Sequence, residues 1–238
     1  MTRRRWIADE VSGTRAVLLG PHADHLSRVL RARVGQEFDV TAGNEVRRGR
    51  VTAIAQHRVE FELGDAVSAP VAVQVTVALS VFKFDRMEWA IEKCTELGAT
   101  RIVPVVARRT ETHLASAAAK RVDRWRRIVL QAAEQSRRVS PPEISDPLKL
   151  KDAVALPGSL RIVLSESETK MTLKDVLQSH ADRSDVVLAL GPEGGWADDE
   201  LEVFQEAGWI SASLGSTILR AETAAIASLA VVLAELQA

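Results

Sequence analysis

Two glycine-bearing segments near the end of the chain carry the residue types best suited to chemistry. The first is Gly191-Pro192-Glu193-Gly194-Gly195-Trp196, and the second is Leu214-Gly215-Ser216-Thr217-Ile218-Leu219-Arg220-Ala221-Glu222-Thr223-Ala224. Glycine lets a ligand approach the backbone, whose N–H and C=O groups can then recognise it without charged side chains. The alternative is that these glycines only form tight turns. Both segments follow apolar runs, and ligands bind beyond the carboxyl ends of strands in open α/β sheets, so the sequence favours a pocket.

These segments lack the known phosphate-binding motifs, which restricts the types of ligand that they could bind. Neither has the Gly-x-Gly-x-x-Gly or Gly-x-x-x-x-Gly-Lys pattern of a phosphate-binding loop. The helix expected after the first segment begins Asp198-Asp199-Glu200, and these carboxylates would repel a phosphate at the helix N-terminus. A cationic cofactor without phosphate is easier to accommodate, and S-adenosylmethionine, a sulfonium, meets that description.

The elements that position these segments follow a repeating pattern from residue 71 onward. We predict strands over residues 71–80, 101–106, 160–164, 185–190 and 210–214, and helices over 85–97, 117–138, 172–178, 198–207 and 222–236. Such alternation indicates an α/β fold, in which a parallel sheet is covered by helices on both faces.

Residues 1–68 have a different pattern, typical of a small β-rich domain. We predict strands over 4–8, 16–19, 37–41, 46–54 and 58–63, and one helix over 21–31 with Pro21 at its start. Gly, Ser and Pro break the periodicity over residues 64–70, which we interpret as a linker. The predicted domains are therefore 1–68 and 71–238.

The composition is that of an ordinary globular protein. Hydrophobic residues make up 46% and charged residues 26% of the 238 positions. No window approaches a membrane span, and the N-terminus lacks the apolar core of a signal peptide, so we expect a cytoplasmic protein without a membrane partner. The only cysteine, Cys94, excludes an internal disulfide and a thiolate-rich metal site, and we expect no metal. Cys94 lies on the same apolar helix face as Met87 and Ile91, which favours a role in core packing over a role as a nucleophile.

The formal net charge of −1 conceals a local excess of basic residues. Residues 101–138 contain ten Lys and Arg against three acids. A solvated helix face is one explanation. A second cluster, Arg3 to Arg5 with Arg28, Arg31 and Arg33, favours a polyanionic partner such as RNA.

Several spaced blocks along nearly the whole chain match one protein family. They are His25-Leu26-Ser27-Arg28-Val29-Leu30-Arg31, Asp85-Arg86-Met87-Glu88, Lys93-Cys94-Thr95-Glu96-Leu97-Gly98, Pro104, Arg108, Trp125, Glu134-Gln135-Ser136-Arg137-Arg138, Pro142 and both glycine-bearing segments. The pairing of Gly-Pro-Glu-Gly-Gly with a downstream Ile-Leu-Arg-x-Glu-Thr-Ala is specific. On these residues the chain resembles the ribosomal RNA small-subunit methyltransferase E family of the SPOUT class, enzymes that methylate N3 of a uridine in 16S rRNA.

The resemblance implies a particular architecture and set of partners. The C-terminal domain would be a SPOUT-type parallel sheet with a deep trefoil knot, and the N-terminal domain a small β-barrel-like, PUA-like module. Two subunits would form a homodimer that completes each site. The substrate would be the 16S rRNA of the small ribosomal subunit, and the cofactor S-adenosylmethionine.

The resemblance also nominates residues that would hold the cofactor, mostly through backbone atoms. They are Leu164, Gly191, Glu193, Gly195, Leu214, Gly215, Ile218 and Leu219. Leu164, Ile218 and Leu219 would sandwich the adenine. For Ile218 and Leu219 the alternative is a core position, since an apolar pair before a helix is common.

Two residues of the second segment are the catalytic candidates. Methylation of uracil N3 requires loss of a weakly acidic imide proton, so the site needs a base or a cation that stabilises the developing charge. Arg220 is the candidate for the electrostatic role, and Glu222 for the base or for orienting Arg220. Alternatively, Glu222 only favours the start of the last helix.

Seven arginines are candidates for RNA binding. They are Arg3, Arg4, Arg28 and Arg31 in the small domain and Arg108, Arg137 and Arg138 near the site.

One departure from the family concerns Ser216-Thr217, where many relatives carry Pro-Arg, so a cation expected there is missing. Two other functions stay open: a SPOUT methyltransferase acting on tRNA, and a non-catalytic RNA-binding protein of ribosome assembly.

Overall fold

A computed structural model of the protein describes residues 5–43, 45–67, 74–136, 138 and 140–236. The chain forms two compact units. Residues 1–71 with 133–141 make the N-terminal unit, and residues 72–132 with 142–238 make the C-terminal unit. The domain boundaries inferred from the sequence stay a prediction. Three RNA candidates, Arg3, Arg4 and Arg137, lie outside the described residues.

The N-terminal unit contains a curled, mostly antiparallel sheet. Its strands in spatial order are β1 (Arg5–Ile7), β4 (Glu37–Ala42), β5 (Glu45–Ala55), β6 (Arg58–Ala66), β3 (Arg15–Leu19) and β2 (Glu10–Ser12). Helix α1 (Gly20–Asp24) and a π-helical turn (His25–Val29) connect β3 to β4. The buried core includes Trp6, Leu18, Leu26, Val40 and Phe61. Alternation of apolar and polar residues along β4 and β6 gives each strand one face in this core.

The predicted linker starts too early in the sequence. Residues 64–66 belong to β6, where Ala66 pairs with Arg47 of β5 and the Gly64 carbonyl accepts a hydrogen bond from the Arg47 side chain at 2.9 Å. Pairing with a long neighbouring strand therefore outweighs the tendency of Gly64 to break the strand. The predicted helix over 21–31 is also too long, because the helical turns end at Val29 and Arg31 has a φ of 53°.

A parallel sheet forms the centre of the C-terminal unit, which confirms the predicted α/β class. Its path runs β10 (Leu148–Lys149), β8 (Arg101–Val106), β7 (Gln74–Ser80), β12 (Asp185–Leu190), β11 (Leu160–Leu164) and β13 (Ile210–Ala212), with β9 (Glu143–Ile144) also beside β8. In this register Leu164 lies between Leu190 and Ala212. The carboxyl ends of β11, β12 and β13 therefore coincide at one edge.

Helices cover both faces of this sheet, as predicted. They are α2 (Phe84–Leu97), α3 (Thr112–Ala117), α4 (Val122–Gln135), α5 (Leu150–Ala153), α6 (Leu173–Ser179), α7 (Asp198–Glu206) and α8 (Ala221–Leu236). Strand residues alternate between two cores: Val77 and its equivalents pack with α2, α4, α6 and α8, whereas Val187 and its equivalents pack with α5 and α7. None of these helices, as far as the structure describes them, is long and apolar enough to cross a membrane.

The single helix predicted over 117–138 is wrong. Two α-helices, α3 and α4, are separated there by a 3₁₀ turn over Ala118–Arg121. Leu114, Ala118 and Val122 are all buried in the same core. Tertiary packing of these residues thus outweighs the continuous helical periodicity of the sequence.

Candidate active site

A cavity of about 240 Å³ opens where β11, β12 and β13 end. Both glycine-bearing segments line it, together with residues that follow β11. All eight residues nominated for cofactor binding are among its lining: Leu164, Gly191, Glu193, Gly195, Leu214, Gly215, Ile218 and Leu219. The structure therefore brings this set together, while the role of each as a cofactor contact stays a prediction.

The first segment forms a tight turn that favours glycine at two positions. The Gly195 N–H donates to the Pro192 carbonyl at 2.8 Å, which closes the turn. A Cβ on Gly191 would lie 3.1 Å from the Trp196 nitrogen, a tight contact with the backbone, so glycine is favoured where the chain folds back there. Gly195 has a φ of +67°, in the left-handed region that favours glycine. We call residues 191–195 the glycine turn.

Side chains from the loop after β8 fix the glycine turn and the helix that follows it. Arg109 donates to the Gly194 carbonyl at 2.7 Å. Glu200, only 4% exposed, accepts hydrogen bonds from the backbone N–H groups of Ala197 at 2.9 Å and Arg108 at 2.8 Å. Because a buried carboxylate needs such partners, Glu200 joins the two loops firmly.

The second segment is anchored at its start and open further along. Ser213 exchanges backbone hydrogen bonds with Met171 and Leu173, each at 2.9 Å. Gly215 has a φ of +112°, and a Cβ there would meet only open space. Ile218 is 83% exposed, so the alternative of a core position is wrong for this residue. This segment presents an uncovered apolar side chain at the cavity.

The two catalytic candidates have very different surroundings. Arg220 is exposed, is not part of the cavity lining and has no ion-pair partner in the part of the chain that the structure describes. Glu222 lies in the first turn of α8 and is 5% exposed. Its Oε2 is buried and accepts no hydrogen bond from the described residues. A buried carboxylate oxygen with free acceptor capacity can accept a further hydrogen bond or a proton, and the catalytic role of Glu222 stays a prediction beside its place at the helix start.

Arg86 belongs to one of the sequence blocks that match the family, but the sequence alone predicts no role for it. It lies in the first turn of α2, and its Nη1 is 3.2 Å from Glu193 Oε1. Its Nε is 3.8 Å from Glu222 Oε1. The cation beside Glu222 is therefore Arg86 rather than Arg220. The position of Arg86 in the sequence could have indicated its place at the site. Arg86 follows shortly after the end of β7, and β7 is the neighbour of β12 in the sheet.

The described RNA candidates are distributed over both units. Arg28 is 64% exposed and lies 3.5 Å from Asp24, and Arg31 is exposed. Arg108 pairs with Asp199. Arg138 is half-buried, and burial lowers the pKa of its guanidinium. RNA contact by any of them stays a prediction.

Cys94 is a buried core residue, as the sequence predicts. Its side chain is 1% exposed, and burial raises the pKa of the thiol to about 12. A thiol of this kind is protonated at neutral pH and cannot act as a nucleophile.

The sequence matches known RNA-modifying proteins along most of its length. The RNA methyltransferase domain family matches residues 69–233. The ribosomal RNA small subunit methyltransferase E of Rickettsia conorii is 30% identical over 214 residues, which cover 88% of this chain and 85% of the relative.

Solved structures agree with these matches. A methyltransferase from Legionella pneumophila, in complex with the bound cofactor SAM, is 27% identical, with a TM-score of 0.82 and coverage of 98% of both chains. A ribosomal RNA small subunit methyltransferase E from Neisseria gonorrhoeae, bound to S-adenosyl methionine, is 30% identical, with a TM-score of 0.81 and coverage of 97% of this chain and 96% of that one. The chain described here therefore belongs to the ribosomal RNA small subunit methyltransferase E family.

Proposed function

We propose that this protein uses S-adenosylmethionine to methylate N3 of a uridine in the 16S rRNA of the small ribosomal subunit. The observation that carries the proposal is the cavity at the ends of β11, β12 and β13, which is lined by all eight nominated residues. The bound cofactor of the similar Neisseria gonorrhoeae protein supports the same ligand here.

The chemistry of the cavity fits this cofactor. Glu166, Glu193 and Asp198 contribute carboxylates to the lining, whereas the guanidinium of Arg109 is engaged with the Gly194 carbonyl. A negatively charged lining attracts a ligand that carries sulfonium and ammonium groups and disfavours a phosphate. The glycine turn adds a backbone surface that a ligand can approach closely.

Apolar residues of the lining would hold the adenine ring. Leu164 is buried at the end of β11, whereas Ile218 is 83% exposed. Covering an exposed aliphatic side chain of this size contributes roughly 1.5 to 3 kcal/mol. The exposure of Ile218 is therefore a source of binding free energy for a flat apolar ligand.

The second segment and the first turn of α8 supply the groups that act on the uridine. When bound, S-adenosylmethionine supplies an electrophilic methyl group whose bonding electrons return to sulfur on transfer. Glu222, buried with an unpartnered Oε2, accepts the N3 proton of the uracil. Arg220, exposed and without an ion pair among the described residues, stabilises the negative charge that develops on the uracil carbonyl oxygens.

We propose the RNA contacts and the assembly that the resemblance to the family implies. Arg28, Arg31, Arg108 and Arg138, together with Arg3, Arg4 and Arg137, bind rRNA phosphates. The protein is a cytoplasmic homodimer with a PUA-like domain over 1–68 and a SPOUT domain with a trefoil knot over 71–238. Similarity to the Neisseria gonorrhoeae structure over 97% of this chain supports the α/β fold on which this organisation is built.

Calorimetric titration with S-adenosylmethionine separates an enzyme from a non-catalytic RNA-binding protein. We expect binding at one site per chain, retained in Glu222→Gln because that residue acts on the uridine. Absence of measurable binding by the wild-type protein would contradict the proposal. Transfer of methyl groups to tRNA, but not to small-subunit rRNA, would retain the enzyme and replace its substrate.

A further inference from the structure

We infer that Arg86 is a positioning residue of methyl transfer, which holds the Glu222 carboxylate and connects it to the glycine turn through Glu193. The inference rests on the proposed function, because it assigns Arg86 to the proton acceptor of that reaction. Its physical basis is a single guanidinium that lies 3.2 Å from Glu193 Oε1 and 3.8 Å from Glu222 Oε1.

The first step is the burial of Glu222. Its side chain is 7% exposed, and its Oε2 has no hydrogen-bond partner among the described residues. A buried carboxylate without a nearby cation is strongly unfavourable. Arg86 supplies the only cationic group within ion-pair distance of Glu222 in the described part of the chain. Arg86 therefore supplies the counter-charge beside the buried Glu222 carboxylate.

The second step is the connection to the cofactor side of the cavity. Arg86 Nη1 donates to Glu193 Oε1 at 3.2 Å, and Glu193 is a residue of the glycine turn that lines the cavity. A guanidinium presents several N–H groups in a rigid plane, so it can contact both carboxylates at once, which a point-charge ammonium does less well. The glycine turn and Glu222 therefore share one guanidinium.

Lys93 provides a matched control on the same helix. Its Nζ contacts Glu92 at 2.7 Å and Glu96 at 2.8 Å, so it also bridges two carboxylates. Its side chain is 31% exposed, against 34% for Arg86. Neither Glu92 nor Glu96 lines the cavity. Loss of Lys93 therefore removes a comparable cation without disturbing the site.

The test compares Arg86→Ala, Arg86→Gln and Lys93→Ala in single-turnover methylation of small-subunit rRNA, in calorimetric cofactor binding and in thermal unfolding. We expect both Arg86 variants to lower the methylation rate at saturating cofactor about 10- to 100-fold, which is less than the roughly 10²- to 10⁴-fold contribution of a general base, because the Glu222 carboxylate itself remains. Their cofactor Kd should rise only severalfold, and Lys93→Ala should change neither quantity. Arg86→Gln keeps a hydrogen-bond donor near Glu193, so it still tests the inference if Arg86→Ala fails to fold.

A double-mutant cycle with Glu222→Gln decides whether Arg86 acts through Glu222. We expect Arg86→Gln to slow the Glu222→Gln enzyme no more than about twofold, because residues that act as a unit are non-additive. Independent, multiplicative losses would overturn the inference. If the wild-type protein transfers no methyl group, the proposed function fails and the catalytic part of the inference fails with it. The connection to the glycine turn is then judged by cofactor binding: a weaker Kd for Arg86→Gln than for Lys93→Ala would support that connection, and equal Kd values would overturn it.

Discussion

The buried carboxylate of Glu200 accepts a hydrogen bond from the backbone N–H of Arg108 at 2.8 Å. Its other oxygen accepts from the Ala197 N–H at 2.9 Å, at the start of α7. One side chain therefore holds the loop after β8 against the loop after β12. The same loop also contacts the cavity, because Arg109, next to Arg108, donates to the Gly194 carbonyl of the glycine turn.

Replacement of Glu200 by glutamine should destabilise the protein. A glutamine has one acceptor oxygen, so its NH₂ group would face one of the two N–H donors, and a buried unsatisfied donor costs about 1 to 3 kcal/mol. Chemical denaturation of Glu200→Gln measures this loss. Asp199→Asn is the control, since the Asp199 ion pair with Arg108 is exposed and such pairs contribute about 0 to 1 kcal/mol. Equal stability of the two variants would show that Glu200 is not the fixing residue.

Substitution of Gly195 by alanine should weaken cofactor binding. Gly195 has a φ of +67°, and a Cβ there would lie 3.3 Å from Glu166 Oε1, so alanine strains the glycine turn by roughly 1 to 2 kcal/mol. Because the strained turn relaxes in the free variant and must return to this geometry to bind the cofactor, calorimetry should show a rise in Kd of about tenfold, since 1.4 kcal/mol corresponds to that factor. Gly194→Ala is the control, because its Cβ would make an ordinary 3.5 Å contact with Arg109. A larger effect at Gly194 would contradict this description of the turn.

Removal of the Arg220 guanidinium should affect the chemical step. Arg220 does not line the cavity, so Arg220→Ala should leave the cofactor Kd nearly unchanged. The methylation rate should fall about 10²- to 10³-fold, as when one group that stabilises developing charge is lost. Single-turnover kinetics and calorimetry measure the two effects separately. Equal losses in rate and in cofactor affinity would contradict the catalytic role.

Arg28 should contribute to RNA affinity through its charge. Loss of one phosphate contact lowers the slope of log K against log salt by roughly one. We expect this change for Arg28→Ala in filter-binding titrations with small-subunit rRNA. Arg50→Ala is a matched control, since Arg50 is 63% exposed, against 64% for Arg28, and also lies near a carboxylate. An unchanged slope for Arg28→Ala would exclude Arg28 from phosphate contact.

The thiol of Cys94 should be inert in the folded protein. Burial raises its pKa to about 12, so the reactive thiolate is scarce at every lower pH and becomes abundant only as the pH approaches that value. We expect negligible labelling by Ellman's reagent at pH 8 and labelling of one thiol per chain after denaturation. Rapid labelling of the native protein would contradict the buried position.

Five strands of the α/β sheet, namely β7, β8, β11, β12 and β13, could be predicted from their short apolar runs, whereas the two-residue strands β9 and β10 are too short to show such a run. The run ending at Leu190 is followed by the glycine turn, and the one ending at Leu164 by Ser165. The rule that ligands bind beyond such ends also predicted that the two glycine-bearing segments would share a cavity. These features depend on local sequence, so they can be recognised without tertiary information.

Other features depend on contacts between distant residues. Arg86 and Glu222 are far apart in sequence, and only the packing of α2 against α8 brings them within 3.8 Å. The extension of β6 through Ala66 depends likewise on pairing with Arg47. The 3₁₀ turn over Ala118–Arg121 contains no glycine or proline, so no local residue marks it.

The proposed reaction is tested most directly by mapping methylated nucleosides in rRNA. Small ribosomal subunits from a strain that lacks this protein would be incubated with the purified enzyme and S-adenosylmethionine, and their 16S rRNA analysed by mass spectrometry. We predict one 3-methyluridine per 16S rRNA, absent from the untreated subunits and absent or strongly reduced with Glu222→Gln. A 16S rRNA that gains no 3-methyluridine from the wild-type enzyme would contradict the proposed function.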